Sequence, residues 1–150
     1  MTTHLEHPPH PHMLVKPFTT HSAIFGVVLK LIREHKKIKQ KAVSTYTHMS
    51  ISSISKIEKG EYTINLEFLC KASVLYNISI SKMFELFENI ILFVNQHGIE
   101  IKEDSVEFRE SKMDDSGIMI MPMFGKMLWQ YVKNSKACQH IVNDFYKHIS

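Results

Sequence analysis

Residues 50–60 read SISSISKIEKG, a run of hydroxyls and ammonium groups broken by isoleucines. At about 100° per residue, Ile54 and Ile57 fall on one side of a helix, and Ile51, Ser52, Ser55, Lys56 and Lys59 on the other. The outer arc is small, polar and basic, and such side chains suit the recognition of a nucleic acid. Hydroxyls accept from or donate to base edges, an ammonium reaches guanine acceptors or phosphate, and an exposed Ile meets a thymine methyl. A helix of this kind points its N-terminal end into the major groove, which makes Ile51, Ser52 and Ser55 candidate base-reading residues. Lys39, Lys41 and Lys59, with Ser50, are candidates for sequence-independent contact with phosphates.

Other chemistries find little footing. No nucleophile–base pair and no phosphate-binding Gly loop is present, so no catalytic residue is assigned and no enzyme is expected. The acids between 100 and 115 lie in a charge-alternating stretch. Cys70 and Cys138 stand alone, without a CxxC or Cys/His pattern, and both fall on apolar stripes. Buried, reduced cysteines are expected rather than a disulfide or a zinc site. His4, His7, His10 and His12 alternate with Pro8, Pro9 and Pro11. Four imidazoles chelate a divalent metal adventitiously, but residues 1–19 are expected to form a disordered arm with no physiological metal, and no cofactor is implied.

The elements that must position these groups are short helices. Ile24, Val27, Val28, Leu31 and Ile32 recur at helical spacing and predict an amphipathic helix ending near Lys36. Gln40–Thr47 reads as a second helix. Ser50 is a natural N-cap for a third over residues 51–59, stopped by Gly60. Asn65 caps a fourth, with Leu66, Leu69, Ser73 and Tyr76 on its inner stripe. Ser79 or Ser81 opens a fifth, with Met83, Phe84, Phe87, Ile90 and Ile91 apolar. Beyond Gly98 the character changes. Ile99-x-Ile101 and Val106-x-Phe108 predict a hairpin of two short strands, and 112–117 is a polar break. Pro122 suits the first turn of a helix reaching Asn134. Cys138, Ile141, Val142, Phe145 and Ile149 mark a last amphipathic stripe.

In register, residues 26–60 (GVVLKLIREHKKIKQKAVSTYTHMSISSISKIEKG) resemble the lambda-repressor-like, or XRE-family, helix-turn-helix. The resemblance extends to about Phe84. Gln40 opens the second helix, His48 occupies the turn eight positions on, Ser50 caps the recognition helix, and Ile54–Gly60 carries the I-x-x-I-E-x-G ending. The resemblance implies a mostly α protein, with a five-helix DNA-binding domain over residues 20–89. It implies base contacts by Ile51, Ser52 and Lys56, and a phosphate contact by Gln40. It also implies a structural ion pair between Arg33 and Glu58, which lies near the inner edge of the helix. The family usually has Gly at the turn, Ser or Thr capping the second helix and Ala packed within it, where this chain has His48, Lys39 and Ser44.

Length and charge fit this division. The chain has 150 residues, 44% hydrophobic and 22% charged, with a net charge of +3, enough for one domain with an appendage. Residues 30–59 carry eight lysines and arginines against Glu34 and Glu58, net +6, whereas 100–115 is net −4. The basic segment is expected to face DNA and the acidic-leaning tail to stand clear of it. The tail, residues 90–150, is expected to be an α+β extension of a short hairpin and two helices. Met119, Met121, Met123, Phe124, Met127, Leu128, Trp129 and Tyr131 there form either a core filling or a self-association surface. The longest apolar runs fall short of the roughly 18 residues that span a bilayer, and a soluble cytoplasmic location is expected. Together these features predict a sequence-specific DNA-binding regulator of transcription, a repressor and homodimer. The competing possibility is a protein-binding adaptor or antitoxin-type module whose tail holds a protein partner or small effector.

Overall fold

The first helix has almost no polar face. In the computed structural model, which describes residues 14–103 and 111–149, α1 (His21–His35) buries Ala23 to Leu29 without interruption, then Leu31, Ile32 and Arg33. A helix apolar on nearly every side is one surrounded by other elements, and α1 packs against α3 (Ile51–Glu58), α5 (Ile80–Gln96) and α6 (Gly125–Asn134). α2 (Gln40–Thr47) and α4 (Leu66–Tyr76) pack on one another, α2 also on α3, and α7 (Lys136–Lys147) lies on α5 and α6.

Caps set most helix starts. Thr20, Ser50, Asn65, Ser79 and Ser135 each accept a hydrogen bond from the backbone N–H three residues on, at 2.8–3.2 Å, satisfying a donor that the first turn leaves open. α2 and α6 are the exceptions, since the side chains of Lys39 and Phe124 make no cap bond. Glycine is required at two places around α1. A Cβ on Gly26 would lie 2.6 Å from the carbonyl oxygens of both Ile57 and Glu58, so only glycine lets α1 and α3 approach this closely. Gly60 closes α3 at φ +79° and abuts the backbone of Ala23.

The second layer is, among the described residues, a four-stranded sheet in the order β2–β1–β4–β3. β1 (Val15–Thr20) runs parallel to both β2 (Glu100–Lys102) and β4 (Met119–Pro122), with Phe18 opposite Glu100 on one side and Pro122 on the other. β3 (Lys112–Met113) closes a hairpin with β4. In its turn, the Asp114 carboxylate accepts from the Ser116 hydroxyl and from the N–H groups of Ser116 and Ile118, at 2.7–2.9 Å. These bonds, led by the Ser116 hydroxyl, hold the Asp114 pKa below its ordinary value. Thr19 Oγ1 donates to the Met123 carbonyl at 2.7 Å and fixes the strand ends.

Several expectations change here. Residues 15–19 are not part of an arm but five of the six residues of β1; residues 1–13, with the His/Pro tract, lie outside the described residues. Ile101 pairs with Thr19 in a parallel ladder, and Val106–Phe108, the second strand of the expected hairpin, lies outside the described residues. Pro122 ends β4, and the helix opens three residues later at Gly125. The break expected at 89/90 falls inside α5, because Leu86, Ile90, Phe93 and Val94 continue one buried stripe. Leu66 is 70% exposed; Phe68 and Ala72 take its place on the inner face of α4. Cys70 is exposed, and only Cys138 is buried, its thiol pushed up to about 11 by burial. Of the Met/aromatic cluster, Met123 and Leu128 belong to the core, whereas Met127 is exposed. The fold is mostly α, as predicted, with a sheet of short strands beside the helices.

Candidate nucleic-acid interface

α3 is held by its inner edge. Ile54 and Ile57 are buried at 0% and 2% exposure, while Ile51 at the N-terminal end is 46% exposed. Ser52 stands in solvent beside it, and Ser55 and Lys56 are half-buried. Lys56 leans over the ring of Tyr62, its Nζ 5.2 Å from the centroid. The Ser50 hydroxyl accepts from Ser53 N–H at 3.0 Å and donates to Ser53 Oγ at 2.9 Å, so its proton is engaged within the cap. The turn between α2 and α3 passes through His48 at φ +60°, ψ +28°, the left-handed region that the helix pair needs there and that glycine occupies at least cost. Ser44 hydrogen-bonds the Met49 carbonyl across the same turn.

Behind α3 sits a buried ionic network. Arg33 meets Glu58 through two hydrogen bonds, Nε to Oε2 at 2.6 Å and Nη2 to Oε1 at 2.9 Å, and its Nη1 donates to the Ile38 carbonyl at 2.9 Å. Arg33 and Glu58 are 7% and 6% exposed. Burial alone would lower the Arg33 pKa, but the hydrogen bond and charge of Glu58 outweigh it, and the net shift is upward. Burial, with the Glu58 charge adding to it, raises the pKa of neighbouring Tyr76. Glu58 is thereby committed as an acceptor to Arg33. Its Oε1 also accepts from Gln40 Nε2 at 2.9 Å. Gln40 therefore stands at the start of α2 with its amide held, one N–H spoken for and the other open to an acceptor.

Gln40, Ser55 and Lys59 come together at the floor of a cleft of about 590 Å³, whose opposite wall is α6 with Lys126, Trp129 and Lys133. Lys56 and Lys59 line a second cleft of about 640 Å³ that shares Lys59 and Lys126 with the first. Lys39 and Lys41 are exposed at the opening of α2; neither they nor Ile51 and Ser52 line either of these two clefts. The α6 side chains were not foreseen. Lys126, Trp129, Gln130 and Lys133 follow the i, i+3, i+4, i+7 spacing of one helix face, a signal masked by the methionines around them. Among the described residues no group of three or more His, Cys, Asp or Glu could hold a metal, and no helix is long and apolar enough to cross a membrane.

Two short helices joined by a left-handed turn, the second anchored by apolar residues and a buried ion pair and open along its outer edge, define a helix-turn-helix domain. The comparison with protein families agrees: a helix-turn-helix model matches residues 29–83, from the second half of α1 to Met83 in α5. This segment is a helix-turn-helix domain of the XRE, or lambda-repressor-like, class, the DNA-binding module of transcription regulators. Neither the curated proteins nor the solved structures yield a match to the chain.

Proposed function

We propose that the chain is a sequence-specific DNA-binding regulator of transcription, a cytoplasmic repressor that reads the major groove with α3. The observation that carries this reading is the division of α3 into a buried edge, Ile54 and Ile57, and an outward edge led by Ile51 and Ser52. Ser55 and Lys56 extend the base-reading edge; Gln40, Lys39, Lys41, Ser50 and Lys59 supply phosphate contacts around it. In this reading the helices from α1 to α5 form the DNA-binding part and the chain beyond α5 the part that governs association. One recognition helix contacts few bases, so a homodimer would set two of them about 34 Å apart on a two-fold-related site.

Selection of bound fragments from a random duplex pool, followed by mobility-shift titration on the enriched sequence, tests the proposal. An enriched motif repeated about one helical turn apart, with affinity falling steeply with salt, is the expected result. Binding without enrichment would remove sequence specificity, and no binding would remove the function.

A further inference from the structure

We infer that α6, outside the matched helix-turn-helix segment, forms a second wall of the nucleic-acid site and contacts the DNA backbone through Lys126 and Lys133. The inference rests on the DNA-binding reading above and extends it to a part of the chain expected to stand clear of DNA.

Three observations place α6 there. First, its N-terminus abuts α3: a Cβ on Gly125 would sit 3.7 Å from Lys59 Cγ. Second, the cleft between them contains Gln40, Ser55 and Lys59 on one side and Lys126 and Lys133 on the other, so one occupant reaching the first group meets the second. Third, the charge is one-sided. Lys30, Lys59, Lys126 and Lys133 line this cleft against Glu58 alone, and Glu58 is already paired with Arg33. The indole of Trp129 lies among these cations, with Lys30 Nζ 4.2 Å and Lys133 Nζ 5.5 Å from its ring centroid. Both contacts fall within the roughly 6 Å of a cation–π interaction, which gathers two ammonium groups over one ring.

A polyanion is the complement of such a surface. A strand of DNA fits better than a compact anion because the basic surface continues. The second cleft shares Lys59 and Lys126 with the first and carries it on to Lys56 and Tyr62, three lysines against the single carboxylate of Glu61. The result is a groove running alongside α3, where one strand's phosphates would pass while α3 reads the bases. α6 thus acts by phosphate contact and adds affinity without adding sequence information.

The test uses the full chain and a mixed-sequence 20-base-pair duplex, with binding followed by fluorescence anisotropy over a salt series. Intrinsic emission serves as a second signal, since Trp129 is the chain's only tryptophan. Each phosphate contact contributes about −0.9 to the log–log salt slope. Lys126→Ala/Lys133→Ala should therefore make the slope shallower by about 1.8, and between 50 and 200 mM salt the wild type should lose about twelvefold more affinity than the variant. Lys126→Arg/Lys133→Arg should restore the slope, Lys82→Ala/Lys147→Ala should leave it unchanged, and duplex should perturb Trp129 emission. A double variant with the wild-type slope would overturn the inference while leaving α3 as the DNA reader. Tighter binding by the variant would also overturn it, making α6 an obstruction. ATP or inorganic polyphosphate perturbing Trp129 where duplex does not would assign the cleft to a small anion. A wild-type chain that binds no duplex would end the DNA-binding reading itself.

Discussion

Replacing Glu58 by Ala probes the feature on which the position of α3 depends. The substitution leaves the Arg33 guanidinium, 7% exposed, with only the Ile38 carbonyl as a hydrogen-bond partner, and it strips Gln40 of its anchor. Breaking a buried pair by removing one member costs about 3–5 kcal/mol, because the charge left behind remains desolvated. For a chain of 150 residues, each kcal/mol corresponds to roughly 2–4 °C, so Tm should fall by about 6–20 °C. In urea, with a slope near 2 kcal/mol per molar, the midpoint should move by about 1.5–2.5 M. The assay is equilibrium unfolding followed by far-ultraviolet circular dichroism on wild type, Glu58→Ala, Arg33→Met and the double variant Arg33→Met/Glu58→Leu. The double variant should lie within about 2 kcal/mol of wild type, since removing both charges together leaves no unpaired buried charge. A Glu58→Ala loss below about 1 kcal/mol, the size of an exposed pair, would refute the argument that burial makes this pair costly to break.

Four further outcomes follow from the same geometry. Ser52→Ala should alter the preference among operator sequences in a competition assay, whereas Lys59→Ala should weaken all sequences alike and lower the salt slope by about 0.9. Gly26→Ala should cost at least about 1–3 kcal/mol in urea unfolding, because its Cβ meets backbone rather than a movable side chain. His48→Gly should raise stability by about 0.5–1 kcal/mol, relief of the left-handed backbone exceeding the added freedom of the unfolded chain. His35 stacks on Tyr146 at 3.8 Å between centroids, and burial, with the Lys36 charge, lowers its pKa below the ordinary 6.5. The neutral ring is favoured in the folded state, so its contribution is present above pH 6.5 and is lost as pH falls through the lowered value. Melting curves from pH 7.5 to 5 should show that loss reduced in His35→Phe.

What could be read from the sequence was what is locally written. Gln40–Thr47 is bounded by the residues that bound it in space, and Ser50, Asn65 and Ser79 cap helices because a hydroxyl or amide at that position satisfies a first-turn N–H. The Arg33–Glu58 pair came from the family pattern, with the inward placement of Glu58 agreeing. β1 was out of reach because its partners lie some eighty and a hundred residues away, and parallel pairing leaves no turn signal between strands. A strand with a proline inside it, such as VKPFTT, also reads as continuation of the Pro-rich stretch before it. Pro122 misled for a related reason: a first-turn proline and a strand-end proline look the same until the partner strand is known. The basic stripe of α6 is not legible in the sequence, because nothing local shows that Lys126 and Lys133 stand across a cleft from Lys59.

The central place of β1 has a consequence for how the chain is made. Thr19 and Met123, joined by one hydrogen bond, are 104 residues apart. At about 5–20 residues per second, a ribosome delivers the second some 5–20 s after the first. Until Glu100–Lys102 is made β1 has neither of its neighbours, until β4 follows it has only β2, and the face of α1 that α6 later covers stays open to water. The helices of the DNA-reading segment are then all synthesised, yet they stand on a hub that is only half enclosed. Completion of the regulator is therefore a late event in translation, timed by β4 and α6 rather than by the recognition helix.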